Sequence, residues 1–196
     1  MLVNRWNINY FDEVESTNLI VKDKIKNSPN VELGYVAVAK SQTGGKGMRG
    51  HSWSSPVGGL YFSALLEVSL PQEELHEIPL YVANVIKDTL QPLCDEELAI
   101  KPPNDIVTKR SLDAFLQGKE KSVRHGYIEK LVGISTEIYM KRLCLGVGIN
   151  VFRPKVDLQV EGENVPVYLE DHSVNDLSLD LLLNAVLEAL NDKLVL

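Results

Sequence analysis

The stretch 42–53, Q-T-G-G-K-G-M-R-G-H-S-W, constrains this chain more than any other. Gly44, Gly45 and Gly47 crowd together there, so the backbone is free to take positive φ and to approach a bound molecule closely. Lys46 and Arg49 put positive charge beside those amides, and Gln42 offers both a donor and an acceptor. That combination suits a loop that clasps an anionic small molecule. It is not a P-loop, because Gly47 follows Lys46 where a magnesium-binding Ser or Thr belongs. By itself the stretch is equally compatible with a surface loop that binds nothing.

Its flanks narrow the choice. Residues 34–40 alternate small and β-branched side chains and read as a strand, and residues 60–68 read as a second. The loop therefore joins two neighbouring strands and opens at one end of a sheet. Before it, residues 8–11 form a short strand, and Ser16 or Thr17 caps a helix over 18–26 with Leu19, Ile20 and Ile25 inward. After it, 73–93 follows helical spacing, with Pro79 in the first turn. Residues 98–101 are a short strand ending in K-P-P-N-D, whose two prolines hold the chain extended and aim Asn104 and Asp105. The polar run 106–129 reads as an exposed insertion with at most two helical turns over 111–117. Residues 131–139 and 143–151 pair as a hairpin through 140–142. Gly133, Gly146 and Gly148 inside those strands point to bulges or to close approach of another group. Residues 157–173 read as loop, and Ser178 caps a final amphipathic helix.

Length and charge exclude several classes. A chain of 196 residues with 44% hydrophobic and 24% charged residues suits one globular domain. A net charge of −7 disfavours non-specific nucleic-acid binding. No apolar run is long enough to span a membrane, and no signal peptide is read, so a cytoplasmic location is expected. Cys94 and Cys144 read as reduced core thiols, and the four histidines share no spacing, so no metal site is expected.

Five segments then fall into one order: E-S-T-N at 15–18, Q-T-G-G-K-G-M-R-G-H-S-W-S-S-P at 42–56, K-P-P-N-D at 101–105, K-L-V-G-I at 130–134 and L-G-V-G-I-N-V at 145–151. This set resembles the catalytic domain of biotin protein ligases, relatives of lipoate ligases and class II aminoacyl-tRNA synthetases. The resemblance implies an α+β fold, a mixed and largely antiparallel sheet with packed helices, over residues 1–196 as a single domain. It implies a two-step reaction in which biotin and ATP give biotinyl-AMP, which a lysine of a biotin carboxyl carrier protein then attacks. Magnesium is expected with the ATP phosphates, and neither DNA nor a membrane is an expected partner. Monomer and homodimer both stay open.

Carried across motif by motif, Ser16, Thr17 and Asn18 line the biotin ring system and Gln42 bonds the same ligand. Gly45, Lys46, Gly47, Met48 and Arg49 belong to the loop that closes over the adenylate, and Trp53 packs on the ligand or braces the loop. Lys130 contacts the reacting carboxyl and phosphate oxygens. Asp105 orients or deprotonates the incoming amine, with Asn104 holding that turn. Gly133 permits ligand approach, and Asn150 lies by the nucleotide. Lys130, Asp105 and Lys46 are the catalytic candidates. The chain departs from the pattern at Met48, where the family usually has arginine, and at Pro102, where it usually has tryptophan. Neither an N-terminal helix-turn-helix nor a small C-terminal β domain is read in it. A lipoyl or octanoyl ligase and an inactive biotin-binding module are the alternatives.

Overall fold

The computed structural model describes residues 3, 5–28, 31–48, 51–118, 128–139, 142–155, 163–173 and 175–194. Strands β1 (Asn7–Val14), β2 (Tyr35–Gln42), β3 (Leu60–Glu67), β4 (Leu98–Lys101), β5 (Asp105–Thr108), β6 (Ile128–Tyr139), β7 (Arg142–Ile149) and β8 (Asn164–Pro166) form one sheet. Their order is β1-β2-β3-β7-β6-β5-β4, with β8 added to β6. The β1–β2 and β6–β8 pairs are parallel and the rest antiparallel, giving the mixed sheet expected.

Side-chain alternation assigns each face its role. On β7, Leu143, Leu145, Val147 and Ile149 join the main core, while Cys144, Gly146 and Gly148 occupy the intervening positions. The core face is covered by α2 (Ile78–Leu90) and α4 (Leu179–Lys193). Ser178 caps α4 by accepting from the Leu181 amide at 3.4 Å. Full burial of a side chain such as Phe62, Leu66 or Ile134 is worth about 1.5–3 kcal/mol each. The other face carries α1 (Thr17–Asn27), whose Val21 and Ile25 pack on Ala37, Leu65 and Cys144.

Several sequence expectations need correction. The helix over 73–93 is α only from Ile78 to Leu90, with 3-10 turns at Gln72–Glu77 and Gln91–Leu93, although Pro79 does lie in the first α turn. The interior of α1 is Val21 and Ile25, with Leu19 and Ile20 half-buried, and Ser16 stands at its N-cap without a side-chain cap bond. The insertion begins as β5, where Ile106 and Val107 are fully buried, followed by α3 (Lys109–Leu116). A short apolar pair inside a polar run carries too little periodicity to announce a strand. The two prolines do not extend the chain. Pro102, Pro103 and Asn104 make the turn of the β4–β5 hairpin, in which Lys101 faces Asp105 and the Pro102–Pro103 peptide is cis. Residues 164–166, read as loop, are strand β8. Residues 119–127, 140–141 and 156–162 lie outside the described residues.

Candidate active site

A cleft of about 820 Å³ opens on the α1 face of the sheet. It brings together Ser16, Thr17, Asn18, Gln42, Lys46, Gly47, Met48, Trp53, Asn104, Asp105, Lys130, Gly133 and Asn150 from all five motifs. Arg49 lies outside the described residues. Gly45 is not in the lining: it is buried inside the loop, where a Cβ would stand 2.4 Å from the Trp53 carbonyl oxygen.

The described residues of the glycine loop are tied down by backbone hydrogen bonds. Gly44 N–H donates to Glu15 O at 2.8 Å, Gly47 N–H to His51 O at 2.8 Å and Trp53 N–H to Gly45 O at 2.9 Å. None of Gly44, Gly45 and Gly47 adopts the positive φ anticipated from the sequence; close packing, not left-handed backbone, excludes a side chain at Gly45. The loop delivers Trp53 onto the sheet. Gly133 and Gly148 are paired across β6 and β7, and Cβ atoms there would stand 2.6 Å and 2.4 Å from the Trp53 indole. The strand glycines therefore mark close approach, as expected. Trp53 Nε1 is buried and without a hydrogen-bond partner among the described residues.

Lys130 reaches the cleft through an irregularity of the sheet. On β5 the step from Ile106 to Val107 is one residue, whereas their partners on β6, Val132 and Lys130, are two apart. The extra residue, Leu131, turns into the core at 1% exposure, and Lys130 turns to the cleft face alongside Gly133. Bulges re-aim side chains in this way. Lys130 Nζ then lies 2.7 Å from Asp105 Oδ1 and 5.0 Å from the centre of the Trp53 ring. Asn150 donates from Nδ2 to the Lys130 carbonyl at 3.1 Å, fixing the backbone behind this ammonium. Asn104 donates from Nδ2 to Ile134 O at 2.7 Å and accepts the Ile134 amide at 3.1 Å, tying the turn that carries Asp105 to β6. Lys46 is exposed at the rim, and Met48 is half-buried beside it.

The far end of the cleft is lined by polar groups at the N-terminus of α1. Thr17 N–H donates to Gln42 Oε1 at 2.8 Å, and Gln42 Nε2 donates to Ser55 Oγ at 2.7 Å. Thr17 Oγ1 lies 2.7 Å from Ser63 Oγ, and Asn18 Nδ2 donates to Ser135 Oγ at 2.9 Å. Ser16 is 2% exposed. Ser55, Ser63 and Ser135 were missed in the sequence because each is a small residue in or beside a strand. The sequence signal for Ser63 and Ser135 was only their place among large apolar residues; that both pair with Gly146 shows in the folded sheet alone. Ser135 and Lys130 are five positions apart on β6, and with the bulge at Leu131 taking up one of them their Cα atoms stand nearer than the ~16 Å of a regular strand. The cleft therefore suits a molecule with a hydrogen-bonding head and an anionic tail. Among the described residues, no cluster of three or more His, Cys, Asp or Glu could hold a metal ion, and no helix is long and apolar enough to cross a membrane.

With fold and cleft in view, the class is defined. A model of the Biotin/lipoate A/B protein ligase family matches residues 10–151, and the chain belongs to that family. The bifunctional ligase/repressor BirA of Escherichia coli (strain K12) is 26% identical over 168 residues, 83% of this chain and 46% of that protein. BirA of Bacillus spizizenii is 26% identical over 170 residues, 84% of this chain and 46% of that protein. This chain thus spans about half the length of these curated relatives. The biotin protein ligase from Aquifex aeolicus, solved in complex with biotin and ATP, superposes with a TM-score of 0.69 at 26% identity, over 95% of this chain and 69% of that one. The Leishmania major biotin protein ligase solved with biotin shares the fold, with a TM-score of 0.73 at 22% identity over 95% of this chain and 73% of that one.

Proposed function

We propose that the chain is a biotin–protein ligase catalytic domain, which activates biotin with ATP to biotinyl-AMP and passes the biotinyl group to a lysine of a biotin carboxyl carrier protein. The observation that carries this reading is the cleft's pairing of a polar buried end, built by Thr17, Asn18, Gln42 and Ser135, with the Lys130–Asp105 pair. A ureide ring needs donors and acceptors at the buried end. A dithiolane or an alkyl chain would leave the uncommitted Ser135 hydroxyl hydrogen without an acceptor, at a cost of about 1–3 kcal/mol. This favours biotin over lipoate or octanoate.

In the first half-reaction two anions, a carboxylate and a phosphate, must meet. Lys130 and the rim cation Lys46 screen that repulsion, and the transition state is met by positioning and electrostatics. ATP and biotin enter as substrates. Magnesium enters with the ATP phosphates, since no described cluster forms a cage for it. In the second half-reaction the carrier amine attacks the acyl carbon and AMP leaves, with Asp105 placed to take or orient the amine proton. No enzyme nucleophile is needed, and Cys144 is fully buried. The alternative of a non-catalytic biotin-binding module rests on Met48, which brings no charge to the loop.

The test is biotin-dependent release of pyrophosphate from ATP, followed by transfer of labelled biotin to a carrier domain. Release and transfer together establish the ligase. Tight biotin binding without release leaves the binding module, and absence of biotin binding sinks both.

A further inference from the structure

Ser63 is 0% exposed and Ser135 is 5% exposed, and neither falls within the five motifs. Both hydroxyls belong to one chain of hydrogen bonds whose direction follows from counting protons. Asn18 Oδ1 carries no proton, so Ser63 must donate to it across their 2.5 Å contact. That distance is typical of O–H···O and short for N–H···O, which favours this orientation of the amide over its flipped form. The 2.9 Å contact from Asn18 Nδ2 to Ser135 Oγ agrees, and an amide nitrogen cannot accept, so Ser135 must. With the Ser63 proton committed, its 2.7 Å contact with Thr17 Oγ1 runs from Thr17 to Ser63, and the shorter distance favours it over the 3.2 Å contact of the same Thr17 hydroxyl with Gln42 Oε1.

The order is therefore Thr17 to Ser63 to Asn18 to Ser135. The single Thr17 hydroxyl hydrogen is held between Ser63 Oγ at 2.7 Å and Gln42 Oε1 at 3.2 Å. Ser135 ends the chain with its own hydrogen uncommitted, since among the described residues its hydroxyl makes no other hydrogen bond. Gly146 makes this arrangement possible: a Cβ there would stand 2.3 Å from Asn18 Oδ1 and 2.4 Å from Ser135 Oγ.

We propose that Ser135 is a specificity-determining residue of this cleft, presenting the terminal hydrogen of the Thr17–Ser63–Asn18–Ser135 chain to an acceptor atom of the ligand's ring system, with Ser63 the positioning residue that sets the order. The ligand part rests on the biotin reading above; the proton order does not. Reversing that order would turn the Thr17 hydrogen from Ser63 to Gln42 Oε1 and take the donor away from Ser135. The buried Ser63 hydroxyl thereby decides which edge of a ring can dock.

Calorimetry with biotin, desthiobiotin (no ring sulfur) and 2-iminobiotin (no ureide carbonyl) tests it in wild type, Ser135→Ala and Ser63→Ala, with Ser63→Cys as a second, near-isosteric variant. Ser135→Ala is expected to weaken biotin about threefold to tenfold, the range of one neutral hydrogen bond. The loss should vanish for the one analogue that lacks the acceptor Ser135 meets. An equal loss for all three ligands, or none, overturns the specificity role. The free protein supplies a readout independent of any ligand. Ser63→Ala should shift the Asn18 side-chain amide resonances and speed their solvent exchange, and unchanged signals overturn the proton order. If wild type binds none of the three ligands, the biotin reading and the ligand part fall together, and the amide signals alone decide the order.

Discussion

Lys130 Nζ lies 2.7 Å from Asp105 Oδ1, with the side chains only 17% and 13% exposed. Each charge is thus mostly withdrawn from water and answered by the other. In the proposed reaction they serve different half-reactions, so their substitutions should separate. Asp105→Asn is expected to slow transfer to the carrier at least about 100-fold while leaving pyrophosphate release within about tenfold. An equal loss in both steps would remove Asp105 from the second one.

The same pair has a consequence for stability. Asp105→Ala strands a largely buried ammonium and is expected to cost about 3 kcal/mol. Adding Lys130→Met should recover most of that, because the orphaned charge is then gone. Denaturant midpoints of both single variants and the double variant measure the coupling, and simple additivity would contradict it.

The seat of Trp53 is open to a steric test. Gly148→Ala would put a Cβ 2.4 Å from Trp53 Nε1. The indole must then leave the sheet, taking the wall beside Lys130 with it. Biotin affinity should fall about tenfold or more, the scale of one lost well-packed contact. Trp53 emission, read in a Trp6→Phe background, should shift to the red. Unchanged emission would place the indole elsewhere.

Met48 lines the cleft without charge. Met48→Arg is expected to raise the rate of pyrophosphate release about threefold or more, as one added cation near the phosphates would do at ~0.7 kcal/mol. No gain would assign the loop's phosphate contact to another residue.

Alkaline stability follows from the buried thiol. Burial pushes Cys144 up to about 12 from an ordinary value near 9. Between those limits only the unfolded chain releases the proton, so stability falls as pH rises, by about 1.4 kcal/mol per unit. Burial also pushes the Tyr61 hydroxyl up, adding a second loss that begins only above pH 10. Cys144→Ala should reduce the loss of urea-denaturation stability between pH 9 and 10, with Cys94, whose thiol burial also pushes up, supplying what remains, while leaving the steeper loss above it. Identical profiles for variant and wild type would refute the assignment.

Much of this architecture was legible in the linear order of residues. Alternation of small and β-branched residues announced β2, and the apolar run 60–68 announced β3, because a pleated strand fixes which side chains share a face. The α1 start was marked by Ser16 or Thr17 and the α4 start by Ser178, and the glycines of β6 and β7 signalled bulges or close approach before anything was seen to approach. The five motifs located nearly every residue of the cleft, since a motif is a record of local backbone and chemistry.

What the residues could not show by themselves is how distant pieces meet. Leu131 as an extra residue on β6 is invisible until β5 is laid beside it, yet it alone turns Lys130 from the core to the cleft. Ser63 and Ser135 look like ordinary small strand residues, and only their common pairing with Gly146 beneath Asn18 makes a proton chain of them. Trp53 gains its place from two glycines some 80 and 95 positions away in the chain. Sequence by itself determined most of the strands and helices, though not β5 or β8, and which side chains are available, because those follow from local sterics and hydrophobic period. Tertiary structure decided register, facing and hydrogen-bond direction, because these depend on atoms brought within a few ångströms only by the packed sheet.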